Sequence, residues 1–131
     1  MGDPQVVHEM ARMVNKYNPQ MLFLIETKRK SLEMEWLKSK WCFDNCLAVD
    51  SIGRGGGLAL LWMNEASVEI LSFSHQHIDA KISGSDSAQD WRFTGFYGSP
   101  KTSLRGRSWD MLRQLNNNIL PWLCAGDFNE I

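Results

Sequence analysis

The sequence predicts a layered α/β sandwich. Segments with helical apolar spacing alternate with short apolar, strand-like runs at both ends of the chain, and the middle is rich in strand-like segments. With 131 residues the chain has the size of one domain, and no repeat or linker interrupts it. These observations favour a layered α/β arrangement over an all-β barrel.

The N-terminal third predicts a helix, a strand and a second helix. Pro4 takes the first helical position after Asp3 as N-cap, and apolar residues follow at helical spacing, namely Val7, Met10, Ala11 and Val14. Asn18–Pro19 ends this helix. The run Met21–Glu26 is too short for a buried helix and predicts a strand covered on both faces. Ser31–Lys40 predicts a second helix, which should pack through Leu32, Trp36 and Leu37.

The centre of the chain predicts an antiparallel meander. Five segments bounded by Gly, Ser, Asp or Asn have strand character, namely Cys42–Asp50, Leu58–Trp62, Val68–Ser74, His77–Ile82 and Trp91–Tyr97. A helix over Arg107–Leu115 should then place Trp109, Leu112 and Leu115 inward. A buried strand over Trp122–Asp127 closes the pattern.

Composition and charge narrow the class of protein. The chain is 44% hydrophobic and 22% charged, which is globular, and no apolar run approaches the roughly 20 residues that cross a bilayer. The N-terminus does not resemble a secretory signal, and the three cysteines lack a framework spacing, so we expect an intracellular protein with reduced, buried thiols. A net charge of -1 and a pI near 6.3 mean that nucleic-acid binding would need local charge.

Two motif-like patterns have simple structural explanations. Gly53–Gly57 lacks the Lys-Ser/Thr ending of a P-loop and leads into a strand, so it predicts a tight strand-to-strand connection, although Arg54 could still reach a phosphate. His77 is expected to start a strand in local hydrogen bonds. A zinc site is a minor alternative, because its ligands would come from predicted strands, namely Cys42, Cys46, His75 and His77.

Polar side chains stand at the ends of three predicted strands. Glu26 ends the first, Tyr97 ends a later one, and Asp127 and Asn129 follow the last, where Gly126 leaves room. Strand ends border the crevice in which open α/β sheets bind ligands, so together they suggest a site for a hard cation and a phosphate. Taken alone, each acid would equally fit a turn or a strand emerging into water.

Basic residues follow two of these strand ends and could contact a phosphate backbone, namely Lys28, Arg29, Lys30, Lys101, Arg105 and Arg107. For the first three of them, a solvated turn explains the sequence equally well.

Three motifs, in this order, resemble the endonuclease/exonuclease/phosphatase superfamily, namely Ile25–Lys28, Gly95–Pro100 and Gly126–Asn129. Further segments resemble the apurinic-type endonuclease domain of LINE-type (non-LTR) retrotransposons, namely Val49–Ser51, Gly53–Trp62, His77–Asp79 and Arg107–Leu115. The resemblance covers nearly the whole chain. It implies a four-layer α/β sandwich that hydrolyses phosphodiester bonds with Mg²⁺ (or Mn²⁺).

The resemblance also implies roles for single residues. Glu26 would bind the metal, Lys28 would pair with the acidic cluster, and Tyr97 would lie at the scissile phosphate. Asp127 would orient or deprotonate the attacking water, and Asn129 would hold that water and the developing oxyanion. The implied partners are DNA and, in a parent polyprotein, a reverse transcriptase, with a nuclear location.

Parts of the family pattern are missing from residues 1–131. The family has an N-terminal strand with an Asn metal ligand, and a C-terminal part that ends in Ser-Asp-His. We therefore expect one partial domain, an incomplete four-layer α/β sandwich, with little or no nuclease activity alone and with self-association through exposed sheet. Two alternatives stay open: a non-catalytic remnant or binding module, and an RNA-directed or phosphatase member of the same superfamily.

Overall fold

A computed structural model describes residues 4–50, 56–84, 89–98, 105–115 and 120–128. Across them the chain forms helices α1 (Pro4–Tyr17), α2 (Ser31–Lys40) and α3 (Arg105–Leu115). The strands are β1 (Met21–Ile25), β2 (Asn45–Val49), β3 (Leu58–Trp62), β4 (Ser67–Phe73), β5 (His77–Ser83), β6 (Trp91–Tyr97) and β7 (Trp122–Asp127). The elements divide into two compact units, Met1–Ser67 and Val68–Ile131.

Every predicted helix and strand is present, and the bounds of α2, β3, β6 and β7 are those the sequence predicts. Strands β1, β4 and β5 differ from their predicted ranges by one residue at one or both ends, and two other elements begin at clearly different residues. The strand predicted from Cys42 begins only at Asn45, because the chain first leaves α2 through a turn in which Cys42 has a φ of 61°. Helix α3 begins at Arg105, two residues before its predicted start. No described helix has the length and apolar character of a membrane span.

The N-terminal unit is an antiparallel sheet in the order β1-β3-β2, packed against α1 and α2. The central strand β3 is fully buried from Leu58 to Leu61. On one face Ala59 and Leu61 meet Val7 of α1 and the two buried residues of α2. The indole N–H of Trp41 donates to the carbonyl of Val7 over 3.3 Å, which fixes α1 to the end of α2. The predicted inward stripe of α1 is thereby confirmed.

The inward face predicted for α2 is confirmed at Leu37 and wrong at Leu32 and Trp36. Met34 and Leu37, three residues apart, are fully buried, whereas Leu32 is 86% exposed and Trp36 is 58% exposed. The four apolar residues of this helix occupy more than one face, so their spacing alone did not identify the side that packs on β2. The Trp36 ring instead lies under the ammonium of Lys40, with 5.0 Å between the nitrogen and the ring centroid.

The C-terminal unit is a sheet in the order β4-β5-β6-β7. Strands β5 and β6 are antiparallel, as predicted, but the predicted five-strand meander is wrong, because β2 and β3 belong to the other sheet. Strand β7 runs parallel to β6. Helix α3 stands between β6 and β7 in sequence, and a crossover of this kind returns the chain in the same direction. As an edge strand, β7 leaves Leu123 53% exposed, so the prediction of a buried closing strand is wrong. Strand β1, expected to be covered on both faces, is only half-buried along its length.

A buried polar network ties β5, β6, β7 and α3 together. The Asp79 carboxylate accepts from Arg92 Nε at 2.8 Å, from the terminal Arg92 nitrogen at 2.7 Å and from the Thr94 hydroxyl at 2.9 Å. The Trp122 indole N–H donates to the same hydroxyl at 2.7 Å, and Arg92 also donates to the Leu115 carbonyl at the end of α3. Because every member has a partner, the network favours one register of β7 on β6.

Candidate active site at the strand ends

The structure places two of the predicted site residues side by side. Tyr97 ends β6, Asp127 ends β7, and the two are register partners in the parallel pair. The backbone N–H of Gly98 donates to the Asp127 carbonyl over 2.6 Å, so the pairing continues to the last residue. A half-buried phenol and an exposed carboxylate therefore share the carboxyl edge of two parallel strands, where α/β sheets bind ligands.

Two glycines allow this close approach of the chains. Gly126 has a φ of 149°, and a Cβ there would lie 1.8 Å from the Phe96 carbonyl oxygen. A Cβ at Gly98 would lie 2.1 Å from the carbonyl oxygen of Phe128. Any side chain at either position would push the two strand ends apart. The room at Gly126 was expected from the sequence. The requirement for glycine at Gly98 was not, because only the register brings Gly98 against Phe128.

The two faces of this sheet have different chemistry. Side chains alternate along a strand, and the Arg92 guanidinium lies 4.9 Å from the centroid of the Trp122 ring, so these partners share the face that α3 covers. Tyr97 and Asp127, five residues further along, belong to the opposite face. An apolar groove of about 360 Å³ lies on the α3 side, lined by Trp109, Leu112, Arg113, Trp122, Cys124 and Phe128. The groove is thus separate from the candidate site.

Helix α3 packs through Leu112, which is buried as predicted, whereas Trp109 is 38% exposed instead of fully inward. The Trp109 ring stacks on Phe128, with 5.9 Å between the ring centroids and 7° between the planes. This contact ties α3 to the residue that directly follows Asp127.

A tight turn between β4 and β5 lies against Tyr97. The backbone N–H of Tyr97 donates to the Gln76 carbonyl over 2.7 Å, and the N–H of Gln76 donates to the Ser74 hydroxyl over 3.1 Å. His77 is buried, with Nδ1 2.6 Å from the Ser74 hydroxyl and Nε2 2.9 Å from the Ser72 hydroxyl. The predicted local hydrogen bonds of His77 are confirmed. Burial lowers the pKa of this imidazole, which favours its neutral form.

Glu26 belongs to the N-terminal unit and directly follows β1, one residue beyond the strand that was predicted to end on it. Its φ is 51° and that of Lys28 is 55°, both in the left-handed region that side chains other than glycine seldom adopt. Between them Thr27 is fully buried, and its N–H donates to the Gly57 carbonyl over 3.1 Å. The N–H of Lys28 donates to the Gly56 carbonyl over 2.9 Å, so the glycine-rich connection holds this strained turn in place.

The glycine-rich connection itself joins two antiparallel strands, β2 and β3, as the sequence predicts. Gly56 and Gly57 have positive φ values of 78° and 92°, which explains glycine at both positions. Arg54 of this connection lies outside the described residues.

The basic residues after β1 have mixed environments. Lys28 and Lys30 are exposed, whereas Arg29 forms an ion pair with Glu33 at 3.0 Å and has a side chain only 16% exposed. The start of α2 is fixed by Asp50, whose carboxylate accepts from the backbone N–H of Ser31 at 2.8 Å and from the Ser31 hydroxyl. Lys101 and Asn129 lie outside the described residues, as do the side chains of Arg105 and Arg107.

The described residues contain no group of three or more His, Cys, Asp or Glu side chains that could hold a metal ion. The minor zinc alternative therefore receives no support. All three cysteines of the chain are free, as expected, but they are not the buried thiols that the sequence predicted: Cys42 is exposed, and Cys46 and Cys124 are half-buried. A magnesium ion needs fewer protein ligands, because it usually keeps several waters and binds one or two carboxylates. An exposed carboxylate such as that of Glu26 fits that chemistry.

Comparison with known proteins gives a likeness in structure only. Neither a protein-family model nor a curated protein sequence matches the chain. The human Nocturnin catalytic domain, solved with a bound sulfate anion, matches with a TM-score of 0.72 at 16% identity, over 97% of this chain and 57% of that one. TDP2 of D. rerio, solved with a single-strand DNA product, matches with a TM-score of 0.65 at 13% identity, over 95% of this chain and 54% of that one.

A third solved structure is ANGEL2, a 2′,3′-cyclic phosphatase in complex with adenosine-2′,3′-vanadate. It matches with a TM-score of 0.66 at 12% identity, over 95% of this chain and 44% of that one. This chain thus spans about half the length of the solved structures it matches. All three belong to the endonuclease/exonuclease/phosphatase superfamily. The predicted α/β fold class is therefore confirmed: the chain has a mixed α/β fold with two sheets and helices, similar to the fold of these structures.

Proposed function

We propose that this chain provides part of the active site of a Mg²⁺-dependent phosphodiesterase, of the kind that nicks DNA for the reverse transcriptase of a non-LTR retrotransposon. The observation that carries the proposal is the parallel pairing of Tyr97 with Asp127 at the sheet edge. A phenol beside a carboxylate suits the binding of a phosphate and the activation of a water next to it. The matched structures belong to a superfamily of nucleases, phosphodiesterases and phosphatases, which supports the same coarse function.

Each residue has a distinct role in this proposal. Glu26 would hold the Mg²⁺ through its carboxylate, and Lys28 would balance the negative charge of the acids. Tyr97 would lie at the scissile phosphate and donate a hydrogen bond to one of its oxygens, and Asp127 would orient or deprotonate the attacking water. Asn129 would hold that water and the developing oxyanion. When bound, the metal would neutralise charge that grows on the phosphate oxygens.

Local cations would attract the DNA backbone, because the net charge of -1 provides no general attraction. The proposed contacts are Arg29, Lys30, Arg54, Lys101, Arg105 and Arg107. Within this set, the ion pair of Arg29 with Glu33 competes with phosphate, so we expect Lys30 to contribute more than Arg29. A DNA substrate and a reverse transcriptase partner would also place the parent protein in the nucleus.

Metal binding tests the proposal directly. Mn²⁺ is titrated into the chain and free Mn²⁺ is followed by electron paramagnetic resonance. We expect weak, saturable binding that Glu26→Gln abolishes and that the matched control Glu33→Gln, an exposed acid on α2, leaves unchanged. Equal binding by all three proteins would refute the metal role of Glu26 and would favour the non-catalytic binding module.

Nuclease activity gives a second measurement. Because residues 1–131 correspond to about half of the matched structures, we expect little or no plasmid nicking with Mg²⁺ by this chain alone. Turnover that Asp127→Ala abolishes would show that residues 1–131 already form a working site.

A phosphatase or RNA-directed function is the second candidate. It is favoured by the match to ANGEL2, a 2′,3′-cyclic phosphatase solved with adenosine-2′,3′-vanadate. The two candidates predict different ligands. Binding of a 2′,3′-cyclic nucleotide that single-stranded DNA does not displace would support the phosphatase, and the reverse order of affinity would support the DNA endonuclease.

A further inference from the structure

We propose that His77 and Ser74 act as positioning residues for Tyr97, which they hold through the turn between β4 and β5. None of the motifs that point to a phosphodiesterase assigns them this role. The geometry can be tested without any activity, but its importance for catalysis rests on the proposed function of Tyr97.

Tyr97 is anchored to the turn through its backbone. Its backbone N–H donates to the Gln76 carbonyl at 2.7 Å. Gln76 lies in the turn outside both strands, so this bond extends the pairing of β5 and β6 beyond the register pair His77 and Phe96. The place of Tyr97 at the sheet edge therefore depends on where the turn holds Gln76, in addition to its pairing with β7.

The position of Gln76 is set by hydrogen bonds within the turn. Its backbone N–H donates to the Ser74 hydroxyl at 3.1 Å, and the Ser74 N–H donates to the His77 carbonyl at 2.9 Å. The Ser74 hydroxyl thus serves as the local acceptor that closes the turn, in the manner of a serine turn. A freely rotating hydroxyl would do this only part of the time.

The Ser74 hydroxyl is in turn held by the His77 ring. His77 Nδ1 lies 2.6 Å from the Ser74 oxygen, and the opposite ring nitrogen lies 2.9 Å from the Ser72 hydroxyl. The ring is therefore held at both ends, and it selects one rotamer of Ser74. Because the oxygen already accepts from Gln76, the arrangement suits a Ser74 hydroxyl that donates to Nδ1, with the proton of the neutral ring on the nitrogen that faces Ser72.

Each ring nitrogen of His77 begins its own series of hydrogen bonds, which we call an arm, and only one of the two arms leads to Tyr97. The Nδ1 arm reaches Ser74, Gln76 and then Tyr97, whereas the other arm ends at Ser72 on β4. Substitutions can separate the two arms. An Asn side chain places its polar end near the position of Nδ1, and a Gln side chain places its polar end near that of Nε2. His77→Asn should keep the Tyr97 arm, and His77→Gln should keep only the Ser72 arm.

Amide hydrogen exchange followed by NMR tests this asymmetry on the full chain. We expect Ser74→Ala and His77→Gln to speed exchange of the Tyr97 amide by about tenfold, as loss of one hydrogen bond allows, and Ser72→Ala and His77→Asn to leave it within about twofold. The Arg92 amide, which donates to the Pro121 carbonyl at 2.8 Å in the same sheet, serves as the internal control and should not change.

Two outcomes would overturn the proposal. Exchange that rises equally for Tyr97 and Arg92 would show that His77 contributes only general stability. Equal effects of the Asn and Gln variants at position 77 would show that the Nδ1 arm has no special connection with Tyr97. Both are independent of Mn²⁺ binding at Glu26, so failure here and failure of the proposed function are distinguishable.

Discussion

The buried pair Asp79–Arg92 should dominate the stability of the C-terminal unit. Both side chains are nearly inaccessible, at 3% and 4% exposed, and the carboxylate accepts three hydrogen bonds, two of them from the guanidinium. Arg92→Leu would leave a buried charge without its cation. For such a loss we expect the free energy of unfolding to fall by about 3 to 5 kcal/mol, a large part of the stability of a domain of this size.

The same unit contains a matched surface pair. Arg113 and Asp110 are 2.7 Å apart on α3, and their side chains are 75% and 68% exposed. Asp110→Asn should therefore cost less than about 1 kcal/mol. Urea titration of both variants, followed by far-UV circular dichroism, compares the two pairs within one protein.

A milder substitution protects the test against complete unfolding. Thr94→Val removes one of the three hydrogen bonds to Asp79 and also the acceptor of the Trp122 indole, so it should cost about 1 to 3 kcal/mol. A loss of unfolding free energy for Arg92→Leu no larger than that for Asp110→Asn would contradict the buried state of this network. That result would mean that the network is exposed to water in solution and does not fix β7 against β6.

Three further predictions follow from single contacts. Gly126→Ala and Gly98→Ala should each lower the thermal unfolding midpoint by several degrees, because the new Cβ would lie 1.8 Å and 2.1 Å, respectively, from a backbone oxygen. Gly106→Ala in α3 is the control and should be neutral or stabilising, because no atom lies within 4 Å of its Cβ position. Equal midpoints for the three variants would contradict the close approach of the strand ends. Burial raises the pKa of the Cys46 thiol to about 11, with a further contribution from Glu35. At pH 8 an alkylating reagent should therefore modify the exposed Cys42 first and Cys46 much more slowly. Equal rates of modification by mass spectrometry would contradict this prediction. Burial lowers the pKa of His77 below the value of about 6.5 that it has when unfolded; Asp79 opposes this shift and Arg92 adds to it. Below pH 6.5 the unfolded chain therefore binds a proton that the folded chain does not, and the free energy of unfolding should fall by up to about 1.4 kcal/mol per pH unit as the pH is lowered. The same slope in a His77→Gln variant would assign the effect to another group.

The candidate site was only partly predictable. The strand-end positions of Glu26, Tyr97 and Asp127 followed from apolar runs that end on polar residues, and the structure confirms each of these positions. The support around Tyr97 was not predictable in detail, because it depends on backbone groups of Gln76 and Gly98 that carry no signal in the sequence. That Glu26 acts together with the Tyr97–Asp127 pair remains a prediction, and the Mn²⁺ titration tests the metal role of Glu26.

The sequence by itself determined the helices and strands of this protein, because the apolar periodicity and the turn residues are local properties of the chain. It also determined which strands end on acids. Only the tertiary structure decided that β3 lies between β1 and β2, that β7 returns parallel to β6, and that α2 packs through Met34 instead of Trp36. Strand order and the buried side of a helix depend on contacts between residues far apart in sequence, and several pairings satisfy the same local pattern.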